Sequence, residues 1–486
     1  MKQKFLLIEY YIILNIIPFK YAYNEIIFVY EHSRHGIRGS LSKFKQRKIV
    51  NNTYYDEFNI PWEGDGDITL KGKIQHYILG IRNRYKYPNL VNFSKFNESK
   101  LLIHVTDKNR VIISAYYQLL GMFNPIIKIS KNDSILFNNI SNKFYYPPNH
   151  IIWEKNKTNH HLNIINEAER SIKYIKENKN NTNKFLEYKI NDYKLSQYLE
   201  NRTFYVKRHC KNYWKYMEYN YENKYKELII ENFEKKYGDV FQTFFNYSKE
   251  YLYNIRNSST LADSYIVDIY EEKNLTNFFE ETKIDKKDFY NTCFIIYEWW
   301  LYNIVADKVI SMIESSKLME DLIEYMENKI NKKNEISMVI DIGHDVTLGS
   351  MEFLMHQIFD VDYSFTYFAS NVIFELHKNK DKDEYNVYYY IDEQLKLNIS
   401  YDEFKKRIIN NIWTEERINN FCFGNITLIL HPKIYLLFYI FIISILLGIF
   451  ILIIFKCCKR NNIKRNKTYK EYDEENKENG KEMELI

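Results

Sequence analysis

The sequence predicts an α/β fold: a mostly parallel sheet flanked by helices, an inserted helical cap subdomain, and one C-terminal transmembrane helix. Three observations carry this. Short apolar runs such as "EIIFVY", "LLIHV" and "SMVIDIG" alternate with segments of helical periodicity. Between them, over 127–300, the strand signal vanishes and Lys, Glu, Asn and Tyr fill long stretches. Near the end, the 22 uncharged residues 434–455 are long enough to cross about 30 Å of hydrocarbon.

Taken in order, "MKQK" followed by "FLLIEYYIILNIIPF" has the basic and apolar regions of a signal peptide, 1–22, with cleavage after Ala22. Residues 25–30 read as a short buried strand, and 39–67 as a polar loop with "EGDGD" as turn chemistry. From Thr69, a candidate cap, Ile74, Tyr77, Ile78 and Ile81 recur at helical spacing. "LLIHV" is the next strand, and "NRVIISAYYQLLGMF" a helix ending near Gly121. Inside the insertion, 161–177, 222–236 and 297–329 are expected to be helical. Strands return after 335: "SMVIDIG", then a helix from Val346, then "SNVIFELHK" and "YNVYYYID". A sheet that begins before an insertion and resumes after it makes one domain, 23–430, with a cap at 127–300.

Directly after the apolar segment comes "KCCKRNNIKRNKTYK", basic and without acids, which places the 456–486 tail in the cytosol and the large domain on the exported side. This is the type I single-pass arrangement. Cys210, Cys293 and Cys422 then lie where disulfides persist, and their odd number leaves at least one thiol over. Cys457 and Cys458 at the cytosolic face suit palmitoylation. Sequons occur at Asn51, Asn92, Asn97, Asn274 and Asn425. The tail has no clear sorting signal: Tyr469 is followed by Tyr472 rather than an aliphatic residue, and Lys481 spoils the acidic run before "EMELI". Both the cell surface and the lysosome fit. A net charge of +5 makes no case for nucleic acid. There is no Walker-type loop and no HExxH, and the twelve His show no zinc-like spacing, so neither metal nor cofactor is expected.

The chemistry concentrates in two places. In "RHGIRG", Arg34, His35 and Arg38 follow the first strand, with Gly36 letting the backbone turn. Two guanidiniums offer bidentate forks for phosphate oxygens, and a histidine between them can act as a nucleophile. A basic loop for an acidic partner is the blander reading. In "DIGHDVTL", His344 and Asp345 also stand just past an apolar strand. Open α/β sheets collect ligands at the carboxyl ends of their strands, and a helix N-terminus there adds backbone donors. Taken alone, Asp345 would serve equally as a helix N-cap.

The pair together, R-H-G-x-R early and H-D-x-T late, resembles the histidine acid phosphatases of the phosphoglycerate-mutase-like superfamily. "ITLKGKIQHYILGIRNRY" is similar to the family's L-T-x-x-G-x-x-Q helix, "VTDKNRVIISAYYQLLGMF" to its S-T-D-x-x-R-T-x-x-S-A segment, and "YFASNVIFELH" to its A-S-x-x-x-F-E-L strand. The likeness covers about 25–125 and 335–430. It implies a phosphoglycerate-mutase-like core and a phosphomonoester substrate. His35 would be the nucleophile that carries the phosphoryl group. Arg34, Arg38, Arg110 and His344 would clamp its oxygens, and Asp345 would protonate the leaving alcohol. The topology resembles that of lysosomal and other membrane-anchored acid phosphatases.

The chain departs from the family at Ser40, where Pro is usual, at Val105 and Val111, where Ser and Thr are usual, and at His104, where Arg is common. No charged catalytic group is lost by these changes. "HDVT" in place of H-D-x-N leans away from the phytases, which are the alternative within enzymes; a surface protein using the fold for adhesion or reception is the alternative outside them. The resemblance also implies a disulfide between Cys210, in "RHCKNYW", and Cys422, leaving Cys293 as a buried thiol. A Cys210–Cys293 bridge is the competing pairing.

Overall fold

The computed structural model describes residues 24–39, 49–50, 53–54, 66–93, 97, 99–106, 108–123, 210–245, 247–270, 279–280, 282–363, 366–424 and 439–456. The chain divides into two compact units, Met1–Cys422 and Phe423–Ile486. In the first, β1 (Asn24–Arg34), α1 (Leu70–Lys86), β2 (Leu101–Val105) and α2 (Asn109–Phe123) precede the insertion. The insertion and the helix that leads out of it contribute α3 (Tyr213–Ile229), a π turn (Ile230–Glu234), α4 (Lys235–Phe245), α5 (Lys249–Tyr253), α6 (Ile255–Tyr270), α7 (Lys286–Val305) and α8 (Lys308–Ile330). After these come β3 (Met338–Gly343), α9 (Asp345–Phe359), β4 (Asn371–Asn379), β5 (Tyr385–Ile391), β6 (Gln394–Ser400), α10 (Tyr401–Asn411) and α11 (Glu415–Phe423).

The six strands form one sheet in the order β2-β3-β1-β4-β5-β6. Its first three strands are parallel, as expected, but β1–β4, β4–β5 and β5–β6 pair antiparallel, so the sheet is mixed rather than mostly parallel. For β4, β5 and β6 connection length is the reason. Parallel neighbours need a crossover of a dozen residues or more, whereas β4, β5 and β6 are joined by hairpin-length links. The β5–β6 link is only Asp392 and Glu393, both at positive φ (44° and 66°), which is the backbone of a two-residue hairpin turn. β6 is an edge strand of exposed and half-buried residues, without an apolar face to announce it.

β1 also runs four residues beyond the apolar stretch. Glu31, His32, Ser33 and Arg34 are fully or almost fully buried at the centre of the sheet. Burial of such groups is tolerated when they are paired. Glu31 accepts from Asn83 Nδ2 (2.6 Å) and Gln118 Nε2 (3.1 Å) and pairs with Arg82 (2.7 Å). Thr69 caps α1 as expected, its side chain accepting from the Gly72 amide at 3.2 Å. α2 ends at Phe123, near Gly121 as expected. A Cβ at Gly121 would strike the Tyr77 carbonyl, so this glycine serves the close approach of α1 and α2.

The expected helix 297–329 is two helices. Asp307 interrupts it, its carboxylate accepting from the amides of Val309 (2.7 Å) and Ile310 (2.9 Å) to cap α8. The 222–236 segment is helical throughout, with the π turn inside it. Residues 161–177 lie outside the described residues, as do 1–22, 434–438, 457–486 and the sequons at Asn51, Asn274 and Asn425. Asn92 and Asn97 are exposed. The insertion has its own aromatic core, including Tyr225, Phe233, Phe241, Tyr265 and Phe289, while the sheet and its flanking helices share another.

Cys210 is bonded to Cys422, and Cys293 is a buried free thiol. The pairing implied by the resemblance is therefore the one present. In the second unit, the helix Tyr439–Lys456 has a mean hydropathy of 2.7 and is a candidate membrane span by length and composition.

Candidate active site

The sheet register assembles the site. Arg34 at the end of β1 lies opposite Gly343 at the end of β3, and the His35 amide donates to the Gly343 carbonyl at 3.0 Å. His35 and His344 consequently leave adjacent parallel strands at the same level, and their rings meet edge-on with centroids 5.4 Å apart. β2 lies on the other side of β3, so Thr106, just past its end, brings its hydroxyl to 3.1 Å from His344 Nε2. Arg110, in the first turn of α2, reaches back over the strand ends to His35.

The loop after His35 is held by α1. Gly36 lies so close to Gly72 that a Cβ on either would enter the backbone around the other. Gln75 Oε1 accepts from the Ile37 amide at 2.9 Å, and the Thr69 amide donates to the Ile37 carbonyl at 2.9 Å. Ser114 Oγ accepts from the Gly36 amide at 3.2 Å. Ser40 lies outside the described residues.

These contacts give His35 a defined tautomer. Nδ1–H donates to the Gly36 carbonyl (2.8 Å), so Nε2 carries the lone pair and accepts from Arg110 Nε–H at 3.0 Å. Burial, reinforced by the charges of Arg110, His344, Arg34 and Arg38, holds its pKa well below the usual imidazole value. His35 is thus a neutral ring whose Nε2 lone pair is engaged by a cationic group.

Arg34 and Arg38 are both buried, and both lie over the Phe368 ring, at 4.0 and 5.7 Å from its centroid. Arg34 donates through Nη1 to the Thr366 carbonyl (2.7 Å) and through Nη2 to the Tyr297 hydroxyl (2.9 Å), and it pairs with Asp345 Oδ2 at 2.9 Å. Arg38 gives its terminal fork to Asp263, at 2.9 and 3.1 Å. In each arginine the Nε–H is buried and has no hydrogen-bond partner among the described residues. A buried donor of this kind is costly unless an acceptor arrives.

Asp345 is the first residue of α9, not its N-cap. His344 holds the cap position and makes no capping bond through its side chain. The Asp345 carboxylate accepts from the Val346 amide (2.9 Å) and from Tyr297, and 19% of the side chain is exposed. His104 turns away from the site to Asp341 on β3, at 2.7 Å. Burial opposes the Asp341 charge, yet His104 and His32 hold its pKa below the usual carboxylate range.

All six residues singled out in the sequence are therefore neighbours at one end of the sheet. Sequence reasoning missed Thr106, Phe368, Asp263 and Tyr297. Phe368 and Thr106 lie inside the quoted motifs and could have been found from them. Asp263 and Tyr297 come from the insertion, in "TLADSY" and "CFIIYEWW", where nothing local separates them from an ordinary helix face.

Such an arrangement defines a class: α/β proteins that gather a neutral histidine and buried arginines at the strand ends. Residues 19–392, most of the chain, match the family model described as Histidine phosphatase superfamily (branch 2), and the chain belongs to that family. The prostatic acid phosphatase of Mus musculus is 31% identical over 101 residues, covering 21% of this chain and 24% of that protein. Its counterpart in Rattus norvegicus is 32% identical over 101 residues with the same coverage. The match thus spans about a quarter of these curated relatives. Among solved structures, the phytase from D. castellii superposes with a TM-score of 0.47 at 14% identity, covering 84% of this chain and 85% of that one. The Bifidobacterium longum multiple inositol polyphosphate phosphatase complexed with inositol hexasulfate gives 0.46 at 12% identity, covering 81% and 94%.

Proposed function

We propose that the chain is an acid phosphatase that hydrolyses phosphate monoesters through a phosphohistidine on His35. One observation carries this reading: His35 Nε2 is a neutral lone pair accepting from Arg110 Nε–H at 3.0 Å, beside two further buried arginines. In the first step Nε2 attacks phosphorus and the bond to the ester oxygen breaks. Asp345 gives its proton to that oxygen, which leaves as the alcohol. In the second step water attacks phosphorus, Asp345 takes a proton from the water, and the N–P bond breaks to return neutral His35 and inorganic phosphate. Arg34, Arg38, Arg110 and His344 hold the equatorial oxygens, whose charge must be stabilised in both steps. The unpartnered Nε–H groups of Arg34 and Arg38 supply donors that a phosphoryl group would satisfy.

The domain, 23–430 with the cap at 127–300, would act on the exported side of a membrane. The 434–455 segment would anchor it, after removal of 1–22, with 456–486 in the cytosol. The Cys210–Cys422 bridge and the basic residues after the span support this orientation.

The test is an assay across pH with a panel of phosphoesters, including aryl, alkyl and inositol phosphates. His35→Ala should abolish turnover while the fold persists. Acid-quenched enzyme given labelled substrate should carry phosphate on histidine; label on Ser or Asp, or none under burst conditions, would sink the mechanism.

A further inference from the structure

Three groups form a closed triangle beside His35. Arg34 Nη2, the Tyr297 hydroxyl and Asp345 Oδ2 lie at 2.9 Å from one another on every side. Arg34 comes from the sheet, Asp345 from the start of α9, and Tyr297 from α7 in the insertion. Tyr297 is buried, and burial above all keeps its phenol protonated, its pKa well above the ordinary value. With one proton and two lone pairs, its oxygen accepts from Arg34 and donates to Asp345.

We propose that Tyr297 is a positioning residue for the leaving-group acid: its hydroxyl holds the Asp345 carboxyl in place and so couples proton delivery to the docking of the helical insertion. This rests on the phosphatase reading above and adds a residue that the family motif does not contain. The Asp345 carboxylate receives Arg34, Tyr297 and the Val346 amide, an arrangement suited to its ionised form. To act as an acid it must first gain a proton. A bound phosphoryl group draws on the Arg34 charge, and Tyr297 is then a neighbour able to serve both forms of Asp345. A hydroxyl can do this, because rotation turns it from donor to acceptor. A phenyl ring cannot.

Other ionisable groups near this triangle are Arg38 and Asp263, Tyr213 from α3, Tyr270 from α6, and His35. Tyr297 touches both Arg34 and Asp345 through one hydroxyl.

The consequence has a sign. A hydrogen bond donated to a carboxylate favours its ionised form, so losing the donor makes Asp345 a weaker acid. The alkaline limb of the rate profile, where a general acid loses its proton, should then move to higher pH. Delivery geometry should suffer at the same time, and only where the leaving group needs a proton.

The experiment compares full-length wild type, Tyr297→Phe and Tyr225→Phe. The last removes a hydroxyl of the same insertion core that meets Ser258, at 2.8 Å, and Ser259. For each, kcat/KM is measured against pH with glycerol phosphate and with nitrophenyl phosphate. Tyr297→Phe should raise the alkaline limb by about one pH unit and lower the glycerol phosphate plateau about tenfold, sparing nitrophenyl phosphate. Tyr225→Phe should do neither. An unmoved limb with equal losses on both substrates, or the same limb shift in Tyr225→Phe, would overturn the assignment. Wild-type turnover in the same assay tests the phosphatase reading separately.

Discussion

Asp263 holds both terminal nitrogens of Arg38, at 2.9 and 3.1 Å, with both side chains 4% exposed. A carboxylate borne by the insertion thus occupies one edge of a guanidinium that, in the proposed mechanism, binds phosphate. The remaining Nε–H edge of Arg38 is the one left to an anion. The pair therefore both orients Arg38 and lowers the positive charge of the site.

Replacing Asp263 by Asn should expose that double role. Breaking a buried ion pair leaves an uncompensated charge, a loss of about 3–5 kcal/mol. An anion can then take the vacated fork. Inorganic phosphate should therefore raise the Tm of Asp263→Asn more than that of wild type. Thermal melts over a phosphate series check this; equal shifts in the two proteins would show that Asp263 does not compete with the anion.

The neutral state of His35 sets a pH dependence. Its folded pKa lies below that of the unfolded chain, for which about 6.5 is ordinary. Below about pH 6.5 the unfolded state binds the extra proton, so this group's contribution to stability is present above that value and declines as pH falls. His35→Ala should flatten the loss of stability between about pH 6.5 and lower values. In wild type, nucleophilic competence should persist well below about pH 6.5, because His35 stays unprotonated there. Denaturant titrations and kcat/KM profiles at acid pH measure the two effects.

Gly72 offers a test of the loop outside the charged groups. A Cβ there would enter the Ile37 backbone. Gly72→Ala should displace the Gly36–Arg38 loop, cost about 1–3 kcal/mol of stability and reduce turnover. Denaturant melts with parallel assays read both, and an unaffected enzyme would mean that the loop does not need this close approach.

The Cys210–Cys422 bridge closes a loop with a sequence separation of 212. Closure of that size is worth about 5 kcal/mol in loop-entropy terms. Cys422→Ser should lower stability by an amount of that order, while Cys293, buried in α7, should react with alkylating reagents only after unfolding. Non-reducing peptide mapping should recover the linked Cys210–Cys422 peptide.

By itself the sequence determined the placement of the two polar clusters. Arg34, His35 and Arg38 come after one short apolar run and His344 and Asp345 after another, and parallel strands deliver the residues beyond their carboxyl ends to a common edge. Thr69, the α1 periodicity and the apolar helix near the C-terminus were legible for the same reason, since caps, periods and long apolar runs are local signals. Tertiary structure alone decided the rest. It carried β1 onward through Glu31 and Arg34, because buried partners satisfy polar groups that a hydropathy pattern counts against a strand. It broke the 297–329 helix at Asp307, whose carboxylate also accepts from the hydroxyls of Tyr216 and Tyr221 in α3. Finally, it brought Asp263 and Tyr297 to arginines 225 and 263 positions away in the chain. Contacts at such separations leave no periodic trace, so only the packing of the insertion against the strand ends could reveal them.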